Sequence, residues 1–251
     1  MREEIKKLLP EYRVEIFDTI PSTNTYLCDF ARENNIEKTV AVARHQSGGR
    51  GRRGRTFHSP MDAGLYMSVL LPLEDMSASE GLTVRVGVAI LAMLKKRFPT
   101  LSPTVKWVND IYIGDRKLAG ILTEGVTRPD GVFCAIVGIG MNVLKCAFPE
   151  ELADIVTSLE DETKQKISPT SLVPALIREI EHTLSLEQNE VIALYRESSY
   201  LKGKTLSVMP HGKDLYTARY VDIDEDGALI VETEDGEMVR LFSGDVSVKK
   251  Q

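Results

Sequence analysis

Residues 106–124 read Lys-Trp-Val-Asn-Asp-Ile-Tyr-Ile-Gly-Asp-Arg-Lys-Leu-Ala-Gly-Ile-Leu-Thr-Glu. Two β-prone runs, Ile111-Tyr112-Ile113 and Lys117 to Thr123, flank Gly114-Asp115, a pattern that predicts an antiparallel hairpin closed by a two-residue turn. With that turn Tyr112 pairs with Lys117 and Asp110 with Ala119, so Asp110 and Lys117 become diagonal neighbours on one face. Asn109, a carboxylate and an ammonium then converge. Such a group can orient Mg–ATP and screen a reacting carboxylate, or it can be an ordinary surface ion pair.

Upstream, no acidic residue occurs between Lys38 and Met61, and Gly48 to Arg55 (Gly-Gly-Arg-Gly-Arg-Arg-Gly-Arg) holds four glycines and four arginines in eight positions. Glycines let backbone N–H groups converge, and guanidinium forks take phosphate or carboxylate in bidentate fashion. The alternative reading of this loop is a solvated basic surface or nucleic-acid tail. It is not a P-loop, because GxxxxGK[ST] is absent. Downstream, Val137-Gly138-Ile139-Gly140-Met141-Asn142-Val143 places glycines inside a strand, where a ligand approaches closely or a bulge occurs.

Around these segments, Arg2 to Leu9 predicts a short helix ended by Pro10, and Arg13 to Phe17 a strand. Ser22-Thr23-Asn24-Thr25 starts an amphipathic helix running to Asn34 and Asn35. Strands follow at Thr39 to Ala43 and Leu65 to Leu71, with no regular structure from Arg44 to Pro60. A helix spans Leu82 to Phe98, with Lys95, Lys96 and Arg97 at its C-terminal end. A long strand covers Val132 to Val143, and helices cover Ser168 to Leu184 and Glu187 to Tyr200. After Gly203 short β runs (Thr205–Met209, Tyr216–Ile223, Ala228–Glu232, Met238–Phe242) predict a small antiparallel barrel. The domain boundary is placed near 200, giving units of 1–200 and 201–251.

The 251 residues are 43% hydrophobic and 27% charged, which excludes disorder, collagen and coiled coil. A net charge of −6 gives no general attraction for polyphosphate or anionic membrane. Cys28, Cys134 and Cys146, odd and sparse, indicate a reducing compartment. The N-terminus lacks the apolar region of a secretory signal, and no stretch approaches the length that spans a bilayer. The histidines at 45, 58, 182 and 211 form no ligand pair, which argues against a zinc enzyme.

Taken together, GRGRRGR at Gly49 to Arg55, KWVNDIYIGDRKLAGIL at Lys106 to Leu122 and GIGMN at Gly138 to Asn142 resemble biotin protein ligases. The order also matches. Ser22-Thr23-Asn24 resembles the family's STN helix start, and Phe148-Pro149-Glu150-Glu151-Leu152 with Thr157-Ser158-Leu159 its FPxxL…TSL segment. Two departures stand out: Val108 where the family usually has proline, and Phe57 in place of a common tryptophan. Only 21 residues precede Ser22, fewer than a winged helix-turn-helix domain needs, so the expectation is the monofunctional form, not a DNA-binding repressor.

The resemblance implies an α+β fold: a class II synthetase/biotin ligase-like central mixed sheet flanked by helices, followed by a small SH3-like β-barrel. It implies a cytoplasmic enzyme that uses ATP and Mg²⁺ to turn biotin into biotinoyl-5'-AMP and passes the acyl group to a lysine of a carboxylase's biotin carboxyl-carrier domain. No DNA or membrane partner is expected; the sequence leaves monomer and homodimer both open, and an unpaired edge strand would allow the homodimer. Carried over by motif, the biotin site comprises Ser22, Thr23, Asn24, Gln46, Gly49, Arg50, Tyr66, Ser68, Lys117, Gly120, Gly138 and Gly140. The nucleotide falls to Arg52, Arg53, Arg55, Phe57, Asn109, Lys117 and Asn142, with Mg²⁺ arriving on the phosphates rather than held by a side-chain cluster. Lys117, Arg52 and Asp110 are the catalytic candidates; Asp110 orients the incoming amine. The arginine loop and Lys145 to Val156 are expected to move until ligands bind.

Two other readings compete. A lipoate or octanoate ligase or transferase would share the scaffold, but the GRGRRGR loop argues against it. A nucleic-acid-binding module that senses biotin is opposed by the net negative charge.

Overall fold

The computed structural model describes residues 2–33, 37–74, 76, 79, 81–128, 130–209 and 215–249. Its first sheet has seven strands in the order β1-β2-β3-β7-β6-β5-β4, and its second has five in the order β11-β10-β9-β8-β12.

The first sheet is built outward from its longest strands. β3 (Gly64–Leu73) pairs antiparallel with β7 (Phe133–Asn142), which pairs antiparallel with β6 (Arg116–Thr127). β2 (Thr39–Gln46) lies beside β3, and β1 (Arg13–Ile20) runs parallel to β2 after the crossover helix α2 (Thr23–Glu33). One parallel pair among antiparallel ones makes the sheet mixed. Asn34 and Asn35, to which the sequence extends α2, lie outside the described residues.

Period-two alternation assigns the two faces. Val40, Val42, Met67, Val69, Val137 and Ile139 point into one core with α3 (Leu82–Arg97), α6 (Val173–Ser185) and α7 (Gln188–Glu197). Ala41, Leu70 and Ile136 point the other way, against Leu27, Phe30 and Ala31 of α2. Farther along, this second face carries Ser68 opposite Gly138, and Gly138 opposite Leu122; in the next row Tyr66 faces Gly140, and Gly140 faces Gly120. Small side chains there leave a trough beyond the start of α2.

The hairpin forms as the sequence predicts, with Gly114 at φ +56°, but its register differs. β5 (Asp110–Ile113) pairs Tyr112 with Lys117, then slips by one residue, so Ile111 faces Ala119 and Asp110 faces Gly120 instead of Ala119. The bulge takes up Leu118, which is fully buried in the core. Other elements escaped the sequence reading: β4 (Pro103–Lys106), β12 (Asp245–Val248), and short helices α4 (Glu150–Ala153) and α5 (Leu159–Thr163). β2 also runs three residues farther than expected, to Gln46. Helix α1 covers Arg2–Leu8, and the helix expected from Ser168 begins as a 3-10 turn at Pro169–Leu172.

The second sheet comprises β8 (Thr205–Met209), β9 (Tyr216–Ile223), β10 (Leu229–Thr233), β11 (Met238–Leu241) and β12. Leu206, Val208, Ile223, Leu229 and Val231 join the α3-side core without a break. Trp107 Nε1 donates to Gly227 O at 2.9 Å, and the Tyr195 hydroxyl to Val108 O at 3.1 Å. Val108 follows a cis peptide bond from Trp107. Among the described residues no helix is long and apolar enough to cross a membrane.

Candidate active site

A cleft of about 570 Å³ opens over the trough between the start of α2, the arginine loop, the hairpin and the second sheet. Of the residues singled out from the sequence, Ser22, Thr23, Asn24, Gln46, Arg50, Arg52, Arg55, Phe57, Asn109, Asp110, Lys117, Gly120, Gly138 and Gly140 line it. Gly49, Arg53, Tyr66, Ser68 and Asn142 stand behind the wall.

Arg53 belongs to the arginine loop; each of the other four has a visible occupation. Gly49 O accepts from Phe57 N at 2.9 Å and so pins the base of the loop. The Tyr66 hydroxyl, its pKa raised by burial, donates to Pro60 O at 3.0 Å. Asn142 Nδ2 donates to Thr157 O at 3.0 Å, holding the chain beyond β7. Ser68 donates to Asn24 Oδ1 at 2.5 Å from beneath the floor.

At one end of the cleft the start of α2 builds a polar wall. The Thr23 backbone N–H donates to Gln46 Oε1 at 2.9 Å, and the Thr23 hydroxyl lies 2.7 Å from Ser68. Asn24, 4% exposed, donates through Nδ2 to Leu122 O at 3.2 Å and Glu124 Oε2 at 2.9 Å. Gly138 is required beneath it: a Cβ there would lie 2.1 Å from Asn24 Oδ1. A Cβ on Gly140 would lie 2.5 Å from the Phe57 ring, which covers the centre of the trough.

Lys117 sits opposite. Its Nζ is 2.8 Å from Asp110 Oδ1, on the face that the bulged register gives both residues. The backbone is clamped as well, since Lys117 N donates to Ile155 O and Lys117 O accepts from Thr157 N, both at 2.9 Å. The ammonium is therefore placed by a strand held on both sides. Lys106, behind it, is driven towards its neutral form mainly by burial, while Asp110 acts in the opposite sense.

The arginine loop forms a small hairpin in which Arg50 bridges to Thr56 around a 3-10 turn at Arg52–Gly54. Arg52 Nη1 donates to Asn109 Oδ1 at 3.0 Å; Asn109 is itself tied to Ile121 through both N–H and C=O. Burial, then the neighbouring Arg53, lower the Arg52 pKa, yet a guanidinium stays charged. Arg50 forms a fork with Glu124, at 2.7 and 3.2 Å. Arg53 and Arg55 both donate to Asp245 Oδ2, at 2.8 and 2.6 Å. Two guanidinia on one carboxylate oxygen mark an anion position.

The sequence reading did not single out Glu124 or Asp245, and it gave Lys106 no role. Asp245 lies 192 residues from Arg53 on a four-residue strand, and no local pattern announces it. Met209, Leu215 and Ile155, all exposed apolar side chains, complete the rim.

The chain matches the family described as biotin/lipoate A/B protein ligase over residues 16–142, and the biotin protein ligase C-terminal domain over 209–249. It is 32% identical to a bifunctional ligase/repressor of Bacillus spizizenii, over 92% of this chain and 72% of the relative. It is also 32% identical to a biotin–[acetyl-CoA-carboxylase] ligase of Mycobacterium tuberculosis, over 90% and 85%. Among solved structures it resembles a biotin protein ligase of Aquifex aeolicus in complex with biotin and ATP, with a TM-score of 0.80 and 26% identity over 95% of this chain and 99% of that one.

Proposed function

The chain belongs to the biotin protein ligases, within the biotin/lipoate A/B protein ligase family, and from that premise we propose that it activates biotin as biotinoyl-5'-AMP and transfers the biotinoyl group to one lysine of a biotin carboxyl-carrier domain of acetyl-CoA carboxylase or a related carboxylase. In the first step a biotin carboxylate oxygen attacks the α-phosphorus of ATP, the bond to the bridging oxygen breaks, and pyrophosphate leaves. In the second the carrier amine attacks the acyl carbon, loses a proton, and AMP leaves.

The observation that carries this reading is the clamped Lys117, 2.8 Å from Asp110 and facing the arginine loop across the cleft. Two anions must meet in the first step, so fixed cations have to offset their repulsion and the charge that develops on the leaving pyrophosphate. Lys117 serves the biotin carboxylate and α-phosphate together, and Arg52, Arg53 and Arg55 the phosphates. Arg53 and Arg55 would exchange the Asp245 carboxylate for phosphate oxygens. Asp110, within reach of Lys117, orients the carrier amine. Thr23 and Gln46 meet the ureido head, with Ser22 beside them, and Phe57 covers the adenylate. The cleft supplies mainly cations and amides, a donor set suited to ATP arriving with its own Mg²⁺ rather than to a metal held by the protein.

The catalytic work falls to residues 1–200, and residues 201–251 supply Asp245 and the Met209 and Leu215 part of the apolar rim. β6 beyond Ile121, which is tied to Asn109, has no strand partner on the β5 side among the described residues, which favours a homodimer through that edge. No DNA partner enters this reading, and consumption of ATP together with sparse cysteines favours the cytoplasm.

The test is incorporation of labelled pyrophosphate into ATP with Mg²⁺ and biotin, repeated with lipoate and with no acyl substrate. Biotin-dependent exchange is expected. Exchange with lipoate alone, or with neither acid in a sample that also fails to label a carrier, overturns the proposal.

A further inference from the structure

The buried polar wall has a donor direction. Asn24 turns its amide N–H groups toward Leu122 O and Glu124 Oε2, so its Oδ1 must accept, and it does so from Ser68. With the Ser68 proton committed, the 2.7 Å contact between the two hydroxyls requires Thr23 as donor. Gln46 Oε1, 3.1 Å from the Thr23 hydroxyl, is then held by the Thr23 backbone N–H at 2.9 Å. Thr23 Oγ1 has spent its only proton and can offer a ligand nothing but lone pairs.

The direction is set by two acceptors, Leu122 O and the Glu124 carboxylate, of which the carboxylate is the nearer. Asn24 Nδ2 at 2.9 Å and the Arg50 fork at 2.7 and 3.2 Å converge on its two oxygens. A carboxylate accepts at both positions and donates at neither, whereas a carboxamide would turn an NH₂ against one of these donors. Ser68, the middle link, is 0% exposed and lies behind the cleft wall, out of reach of water that would rescue a reversed arrangement.

We propose that Glu124, which does not itself line the cleft, is a specificity-determining positioning residue: it polarises the chain Asn24–Ser68–Thr23 so that the Thr23 hydroxyl is obliged to accept an N–H of the ligand's head group, and through the same carboxylate it fixes Arg50. The proposal rests on the biotin reading of the cleft. A cyclic urea presents N–H donors at its ring edge and satisfies an obligate acceptor. A cyclic carbamate, with ring oxygen in place of one N–H, sets lone pair against lone pair. Sites built on such polarity discriminate strongly, because the wrong isostere leaves a buried group unpaired.

Calorimetric titration without ATP tests this, using biotin and the two cyclic carbamates in which one ureido N–H is replaced by oxygen. The wild-type chain, Glu124→Gln and Glu124→Asp are compared. Wild type is expected to prefer biotin over at least one carbamate by about tenfold or more. Glu124→Gln should weaken biotin by about tenfold and reduce that preference by a similar factor, while Glu124→Asp, which keeps two acceptors, should recover most of both. An unchanged biotin affinity in Glu124→Gln, or equal losses for biotin and both carbamates, overturns the proposal. Failure of the wild-type chain to bind biotin would instead strike the reading of the cleft, and it is seen before any variant is made.

Discussion

Asp245 and Arg53 meet across the two sheets, Nη1 to Oδ2 at 2.8 Å, and Arg55 reaches the same oxygen at 2.6 Å. Arg53 and Asp245 are each only about a quarter exposed, so water screens this junction less than it does most surface pairs. The terminal sheet thus holds the tip of the arginine loop, and its carboxylate occupies the place that the proposed function gives to phosphate oxygens.

Asp245→Ala removes the charge that reconciles two neighbouring guanidinia. The expected outcome is faster trypsin cleavage between Arg52 and Arg55, by several-fold, in the absence of ligands, and a raised KM for ATP in pyrophosphate exchange. Unchanged cleavage and KM would contradict a tether at this position.

Lys117→Ala should lower kcat/KM for biotin-dependent exchange by about 10²-fold or more, the scale for removal of one preorganised charge at a reacting centre. Far-UV circular dichroism should remain that of the wild-type chain, because the clamp on residue 117 runs through backbone groups.

Arg52→Gly opens the loop beside Asn109. Biotinoyl-AMP should escape and label unrelated protein amines, seen as avidin-reactive bands in a mixture of bystander proteins. A variant that still modified only a carrier lysine would exclude retention of the adenylate by Arg52.

Gly138→Ala sets a methyl group 2.1 Å from Asn24 Oδ1. Expelling Asn24 costs about 1–3 kcal/mol by the usual toll of overpacking, and the loss should show both in thermal unfolding and in weaker biotin binding. Gly114→Ala, where a Cβ meets nothing within 4 Å, should carry only the strain of its positive φ.

Burial pushes the Cys28 thiol up to about 11 from an ordinary value of 9.0. The folded state therefore keeps a proton that the unfolded state releases first. Its contribution to stability is complete below pH 9 and is lost as pH rises toward 11. The melting-temperature difference between wild type and Cys28→Ala should accordingly shift against wild type across that interval.

The order of elements, the hairpin and its turn, and the residues gathered around the cleft were legible in the sequence, because period-two alternation and turn chemistry are local. The register of Asp110 was not. Nothing in Arg116-Lys117-Leu118 announces that the core will claim Leu118 and shift the pairing by one residue. β4 and β12, of four residues each, are too short to show a period, and the partnership of Arg50 with Glu124 spans 74 positions. The motifs named many of the residues that line the cleft; the connections that orient them are long-range. Asn24 shows the difference: the sequence offers it to the ligand, while the structure engages both its amide group and its carbonyl within the protein.

The Trp107–Gly227 hydrogen bond lies within an apolar core common to both sheets. The two lobes are therefore melted by the same events: a cut that frees the last fifty residues strips Trp107 of its partner and lays bare Val84 and Ile192, against which Gly227 packs. Such a chain should behave in calorimetry as one transition rather than two. The small lobe could not then be exchanged between relatives as an independent module without recutting the larger one to fit.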